Sequence, residues 1–276
     1  MTFETKRPEK NNPLRQKIYQ GCLYKIPANS FSQRLITDVK QDLKSFFKVD
    51  LATVHVHLSN EIFLQKLHHI RQKILAKAYT HKLNALISSL GFAPCENALD
   101  PLRLRCVKHD MHKNPDARIA YTAHRDTWFG NPQNQINWWI PLHDISEEQS
   151  FKFYPGFFDR PIVNNSEHFD FYRLQKNGWQ TPKKHKIEAI YPEVLDPLLL
   201  EKKGLKFTCK AGDIILFSGA QLHQTHKNSS GHSRFSLDFR TVHLDDFAHN
   251  IGAPNVDNKS QPEALSDYLF PQQRGV

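Results

Sequence analysis

His124 and Asp126 stand two apart in the stretch TAHRDTWFG, residues 122–130, directly ahead of two aromatic residues. In an extended segment, side chains at i and i+2 point to one face. An imidazole and a carboxylate can then reach one small object, while Arg125 between them points away. A metal ion suits such a pair, but it needs a third ligand from elsewhere in the chain.

That ligand is offered by AGDIILFSGAQLHQTHKN, where residues 211–213 make a turn, 214–217 make a buried strand, and His223 and His226 follow. Two histidines and one carboxylate on one face of an octahedral metal, with the opposite positions open, are the facial triad of non-haem Fe(II) oxygenases. An H-x-D is a weak sign by itself in a chain with 16 histidines. His55, His57, His68, His69, His143 and His232 show no repeated ligand spacing and read as solvated or core histidines.

The segment RFSLDFR adds weight. Arg234, Ser236, Asp238 and Arg240 alternate with Phe235, Leu237 and Phe239, so one strand face is apolar and the other polar. If the apolar face packs outward on helices, two arginines and a serine point inward. A buried guanidinium needs an anionic partner, and a dicarboxylate cosubstrate gripped in bidentate fashion would provide one. In the opposite orientation the phenylalanines are inside and the arginines lie in water; the ligand candidates favour the first.

These residues require a scaffold. The chain has 276 residues, 39% of them hydrophobic, with Phe contributing 19, enough for a buried core in a single domain spanning 1–276. Residues 1–15 are polar and expected to fray. Helical spacing of Leu35, Ile36, Val39, Leu43, Phe46 and Phe47 predicts a helix over 32–47 capped by Ser32. Phe63, Leu67, Ile70, Ile74 and Ala78 predict a second over 60–90, with Gly91 as its left-handed stop. From residue 101 short strand-like runs follow: RLRCV, RIAYTAH, NQINWWIPL, SFKFY, LKFTC, DIILFSG and SRFSLDFRTV. A helical support (16–100), a β-core (101–245) and a tail (246–276) result: a mainly β sandwich or barrel braced on one side by helices. Within it, 155–204 is an insertion of the kind that serves as a lid or substrate loop, or as a surface excursion with a short helix near 191–200.

Composition narrows the partners. A formal charge of +9 suits anionic ligands, but the longest basic cluster, KKHK at 183–186, is too short for a nucleic-acid arm. The N-terminus lacks an apolar leader and no apolar run reaches the ~20 residues of a membrane span, so a cytoplasmic location is expected. Cys22, Cys95, Cys106 and Cys209 form no C-x-x-C pair and read as reduced and mostly buried.

The blocks HRDTWFGNPQNQINWWIPL and GDIILFSGAQLHQTHKNSSGHSRFSLDFRTV resemble the Fe(II)/2-oxoglutarate-dependent oxygenases, and within them the phytanoyl-CoA dioxygenase-like branch, over residues 101–244. The resemblance implies a double-stranded β-helix, a jelly-roll or cupin-like core with helices on one side. It implies Fe(II) held by His124, Asp126 and His223, and 2-oxoglutarate held by Arg234 with Ser236 beside it. His226 with Arg240 is a competing register; otherwise Arg240 contacts the other end of 2-oxoglutarate or an anionic substrate. The implied reaction consumes O2 and a small-molecule substrate, with decarboxylation of 2-oxoglutarate to succinate and CO2. Because the Asp126 carboxylate is present, hydroxylation is expected over halogenation. On NQINWWIPL, Gln135, Asn137 and Trp139 share a face that could line the pocket, with Gln135 and Asn137 orienting 2-oxoglutarate or substrate and Trp139 as a wall; Trp138 reads as core. Trp128 and Phe129 could shape the pocket mouth. Three other functions stay in view: an AlkB-like nucleic-acid demethylase, whose core ends in a similar R-x-S strand; a non-catalytic cupin-like binding protein; and a zinc hydrolase, which would leave the buried arginines without a purpose.

Overall fold

The computed structural model describes residues 3–4, 13–76, 79–172, 191–201, 204–260 and 265–271. The KKHK cluster and the middle of the 155–204 insertion lie outside them. Five helices and a short strand come first: α1 (Pro13–Tyr19), β1 (Tyr24–Ile26), α2 (Ser30–Phe47), α3 (Val54–His57), α4 (Asn60–Ala76) and α5 (Thr80–Ser89). The strands β2 (Asn97–Leu99), β3 (Arg103–Val107), β4 (Gln135–Pro141), β5 (Phe151–Phe153), β6 (Ile214–Ser218), β7 (His223–Thr225) and β8 (Arg234–His243) follow.

Several expectations are adjusted. The chain is helical from Pro13, because Leu14, Ile18 and Tyr19 bury against the core. Helix α2 is capped by Asn29, whose side chain accepts from the Phe31 and Ser32 amides, and Ser32 completes the capping box from inside the helix. The stretch 60–90 is two helices, not one. Gly91 takes the expected left-handed conformation at φ 85°. RIAYTAH is not a strand: a 3-10 helix, Pro115–Tyr121, occupies most of it. In the insertion, helical structure near 191–200 is confined to a 3-10 turn, Pro197–Leu200. Of the cysteines, Cys106 and Cys209 are buried and Cys95 is exposed.

The strands form two layers. The major sheet runs β1-β6-β4-β8-β2, with β3 also paired to β8. In the minor layer β5 pairs with β7, and single bridges add Leu205 to Phe153, Cys209 to Ile145 and His124 to His223. From β4 onward the chain alternates between layers, β4 major, β5 minor, β6 major, β7 minor, β8 major, which is a double-stranded β-helix braced by helices.

The strand alternation sorts the residues as binary patterning requires. Ile136, Trp138 and Ile140 of β4 and Phe235, Leu237 and Phe239 of β8 join the stripes of α2 and α4 in one core outside the major sheet. Trp138 stacks on Phe239 at 5.2 Å there. Between the sheets lies a smaller aromatic cluster of Trp139, Phe151, Phe153, Phe207 and Phe217. The second face of β8 therefore looks inward.

Candidate metal centre

His124 and His223 meet because their backbones bridge, each amide donating to the other's carbonyl at 3.0 Å. His124 Nδ1 lies 3.0 Å from the Thr122 carbonyl and His223 Nδ1 2.9 Å from the Gln221 carbonyl. A carbonyl only accepts, so each Nδ1 carries the proton and each Nε2 is a free lone pair. Both Nε2 atoms turn toward Asp126 Oδ1, at 3.5 and 3.8 Å. Among the described residues, this trio is the one group whose ligand atoms all lie within 4.8 Å of one another. Such ring-nitrogen anchoring is the usual second partner of a metal-binding histidine.

The two-residue spacing works as anticipated because Arg125 is extended, at φ −105° and ψ 142°, and Asp126 then opens a 3-10 turn that Gly130 ends at φ 74°. Arg125 does point away. Its buried guanidinium meets Asp257 at 3.0 Å and donates to the carbonyls of Ala220 and Phe157 at 2.6 Å and of Arg160 at 3.0 Å. It pins the loop that carries His124 and Asp126 to the surrounding chain.

Asp126 is buried, yet its other oxygen is well supplied. Oδ2 accepts from Asn137 Nδ2 at 2.7 Å and from Gln135 Nε2 at 3.1 Å, with Arg240 Nε 3.7 Å away. Burial pushes this carboxyl up, but Arg240, followed by the two histidines, outweighs it and holds the group well below the usual carboxylate range. Burial, then the neighbouring His124, pushes His223 down to about 4. A neutral imidazole and an ionised carboxylate are the forms that bind metal. His226 stands outside the cluster, its amide donating to the Ser150 carbonyl at 3.4 Å. Gln135 and Asn137 thus grip the Asp126 carboxylate itself.

Further along the inner face of β8, Arg234 is 4% exposed. Its NH1 donates to the carbonyls of Gln149 and Ser150 at 2.9 and 3.3 Å, and its plane lies 5.6 Å from the Trp139 ring. No carboxylate pairs with it among the described residues. Arg234 Nε, Ser236 Oγ and the Tyr121 hydroxyl are all buried without a hydrogen-bond partner among the described residues. Burial pushes Arg234 down to about 10 and Tyr121 up to about 12; Arg234 acts on Tyr121 electrostatically. Orphaned buried donors are costly, about 1–3 kcal/mol each, and a guanidinium Nε with two hydroxyls of this kind suits a bound carboxylate. Tyr121 escaped the reading of the sequence because RIAYTAH was expected to be a strand; its position three residues before His124 was the available signal.

The phytanoyl-CoA dioxygenase family matches residues 34–236, about three quarters of the chain, including the whole triad and Arg234. The chain belongs to that family. It is therefore a non-haem oxygenase that uses iron and 2-oxoglutarate. Solved structures similar to it include EvdO2 from Micromonospora carbonacea var. aurantiaca complexed with 2-oxoglutarate, 11% identical with a TM-score of 0.47, over 86% of this chain and 92% of that one. HygX from Streptomyces hygroscopicus with iron bound is 13% identical with a TM-score of 0.45, over 90% of this chain and 97% of that one. No curated protein matches the chain.

The aromatic residues of this family member divide unexpectedly. Trp128 is fully buried, with its indole N–H donated to Asp257 at 2.8 Å, so it is not at a pocket mouth. Phe129 lies beside the triad: its ring meets His124 edge-on at 5.3 Å and Phe169 of the insertion at 5.3 Å. Trp139 lies under Arg234 and against Phe151 at 5.3 Å. The insertion also returns to the site, Val194 donating its amide to the Ala123 carbonyl at 3.1 Å. No helix among the described residues is long and apolar enough to cross a membrane.

Proposed function

We propose that this oxygenase hydroxylates a small molecule, with Fe(II) held by His124 Nε2, Asp126 Oδ1 and His223 Nε2 and the distal carboxylate of 2-oxoglutarate held by Arg234, Ser236 and Tyr121. The observation that carries the reading is the buried Arg234, whose unsatisfied Nε lies among unsatisfied hydroxyls on the same inner face as Arg240, the neighbour of Asp126. A zinc hydrolase leaves those groups without a ligand. Loaded with Fe(II) and 2-oxoglutarate, the centre supplies oxidative decarboxylation to succinate and CO2 coupled to transfer of one O2 oxygen into a substrate C–H bond.

The chain's own residues orient the components. Asn137 and Gln135 occupy Asp126 Oδ2 and leave Oδ1 for the metal. Phe129 and Phe169 form an apolar wall beside His124, suited to an apolar part of the substrate. Arg240 is already paired with Asp100 and Asp126, which disfavours it as a clamp for an anionic substrate.

Anaerobic addition of Fe(II) and then 2-oxoglutarate should develop a visible metal-to-ligand charge-transfer band. On admitting O2, succinate should accumulate fastest with the right member of a metabolite panel. His124→Ala or Asp126→Ala should abolish both. Full retention of succinate formation in either variant would sink the assignment, and absence of succinate with every substrate would favour a binding protein. Substrate-dependent turnover on methylated oligonucleotides alone would favour the AlkB-like alternative.

A further inference from the structure

The metal carboxylate is tied to the far end of the chain. Tyr268 is buried, and its backbone neighbour Leu269 pairs with Leu99 of β2 through amide–carbonyl bonds of 2.7 and 2.9 Å. That pairing places the Tyr268 hydroxyl 2.7 Å from Gln135 Oε1. From Gln135 the contacts continue inward, Nε2 lying 3.1 Å from Asp126 Oδ2 and 2.8 Å from Asn137 Oδ1. Asn137 Nδ2 reaches Asp126 Oδ2 at 2.7 Å.

The direction of every bond in this network follows from one charge. An ionised Asp126 only accepts, so Gln135 and Asn137 must each present an NH2 group to it. Gln135 Nε2 then gives its second hydrogen to Asn137 Oδ1. Its carbonyl oxygen is left pointing outward, and Tyr268 must donate to it. Without that donor, Gln135 loses the bond that distinguishes its two amide orientations from outside; the flipped one sets a carbonyl oxygen against the carboxylate. There is also no spare room for the amide: a Cβ on Gly219 would come within 3.0 Å of Gln135 Nε2.

We infer that Tyr268 is a positioning residue for the metal centre, acting through the Gln135 amide to keep Asp126 Oδ2 occupied and Oδ1 directed at the metal. The inference rests on the metal assignment proposed above. Tyr268 lies beyond the residues that the family matches, 34–236, while Gln135, Asn137 and Asp126 lie within them.

Metal binding by the full-length chain, measured calorimetrically with Fe(II) under anaerobic conditions and with Co(II) absorption as a report on ligand geometry, tests it. Tyr268→Phe keeps the ring and removes only the donor. Its Fe(II) dissociation constant should rise about tenfold, in the range typical of lost partners of metal ligands, with an altered Co(II) spectrum; the metal-free protein should melt a few degrees lower, because Gln135 Oε1 is left without its donor. In a Gln135→Met background the same substitution should have no further effect, because the intermediary is gone. A change of less than about twofold in Tyr268→Phe, or an equal change with Gln135 already replaced, overturns the inference while leaving the metal assignment standing. A wild-type chain that binds no Fe(II) overturns both.

Discussion

Arg234 and Arg240 project from the same face of β8, and their surroundings treat them in opposite ways. Arg240 lies 3.4 Å from Asp100 and 3.7 Å from Asp126, and these carboxylates more than offset its burial, so its guanidinium is held above its ordinary range. Among the described residues Arg234 has only backbone carbonyls and a tryptophan face, and burial pushes it down to about 10. A paired buried arginine is part of the architecture; one left unpaired among orphaned hydroxyls marks where a ligand's charge belongs. The two together divide the inner face of β8 into an end paired with Asp126 and, on the function proposed above, a cosubstrate-binding end.

That division breaks most visibly at Arg234. Arg234→Met should weaken 2-oxoglutarate binding by about 100-fold, since truncating one member of a buried charge pair costs roughly 2–5 kcal/mol. Fe(II) binding without 2-oxoglutarate should change by less than about twofold, the sites being separate enough to act independently. Titration of the charge-transfer band reads the first and calorimetry the second. Arg240→Met should show the converse pattern. Asp100 keeps Arg103 but loses one buried partner, so stability should fall by about 1–3 kcal/mol in urea unfolding. Its 2-oxoglutarate dissociation constant should move by less than about threefold, because no bond to that ligand is lost. If the two variants exchange effects, the register of His226 with Arg240 regains its claim.

The smallest effect is the sharpest. Ser236→Ala removes a hydroxyl that has no hydrogen-bond partner among the described residues. Its melting temperature should hold or rise slightly, while 2-oxoglutarate affinity should fall by about threefold to tenfold, the worth of one hydrogen bond of roughly 1 kcal/mol. Loss of stability with unchanged affinity would place the hydroxyl in the core's architecture.

Much of this was legible in local patterns. Alternation along RFSLDFR and NQINWWIPL assigned Phe235, Leu237, Phe239 and Trp138 to one face and the polar residues to the other, and period-2 geometry guarantees that separation once one face is buried. The H-x-D was visible in the same way, whereas His223 rather than His226 was implied only by the family resemblance; in the fold a backbone bridge between residues far apart in sequence sets His223 beside His124. What local pattern does not carry is partnership. Arg234 and Arg240 look alike in sequence, and only the tertiary placement of Asp100 and Asp126 separates them. Gln135 and Asn137 read as pocket-lining amides, but the fold points both at Asp126. Tyr121 was hidden by a 3-10 helix in a strand-like run, and Tyr268 by a tail that returns to β2. Short strands such as β1 and β2, three residues each, have too few positions to show a period.

Arg234, on the function proposed above, receives the distal carboxylate of 2-oxoglutarate, and one measurement addresses this role directly. Anaerobic Fe(II)-loaded protein, wild type and Arg234→Met, is titrated with 2-oxoglutarate and with 2-oxopentanoate, which keeps the metal-binding 2-oxo acid but lacks the second carboxylate. Wild type should prefer 2-oxoglutarate by about 100-fold, and the substitution should reduce that preference to about twofold by weakening 2-oxoglutarate alone. A preference that survives intact in Arg234→Met, or equal weakening of both acids, would contradict the account.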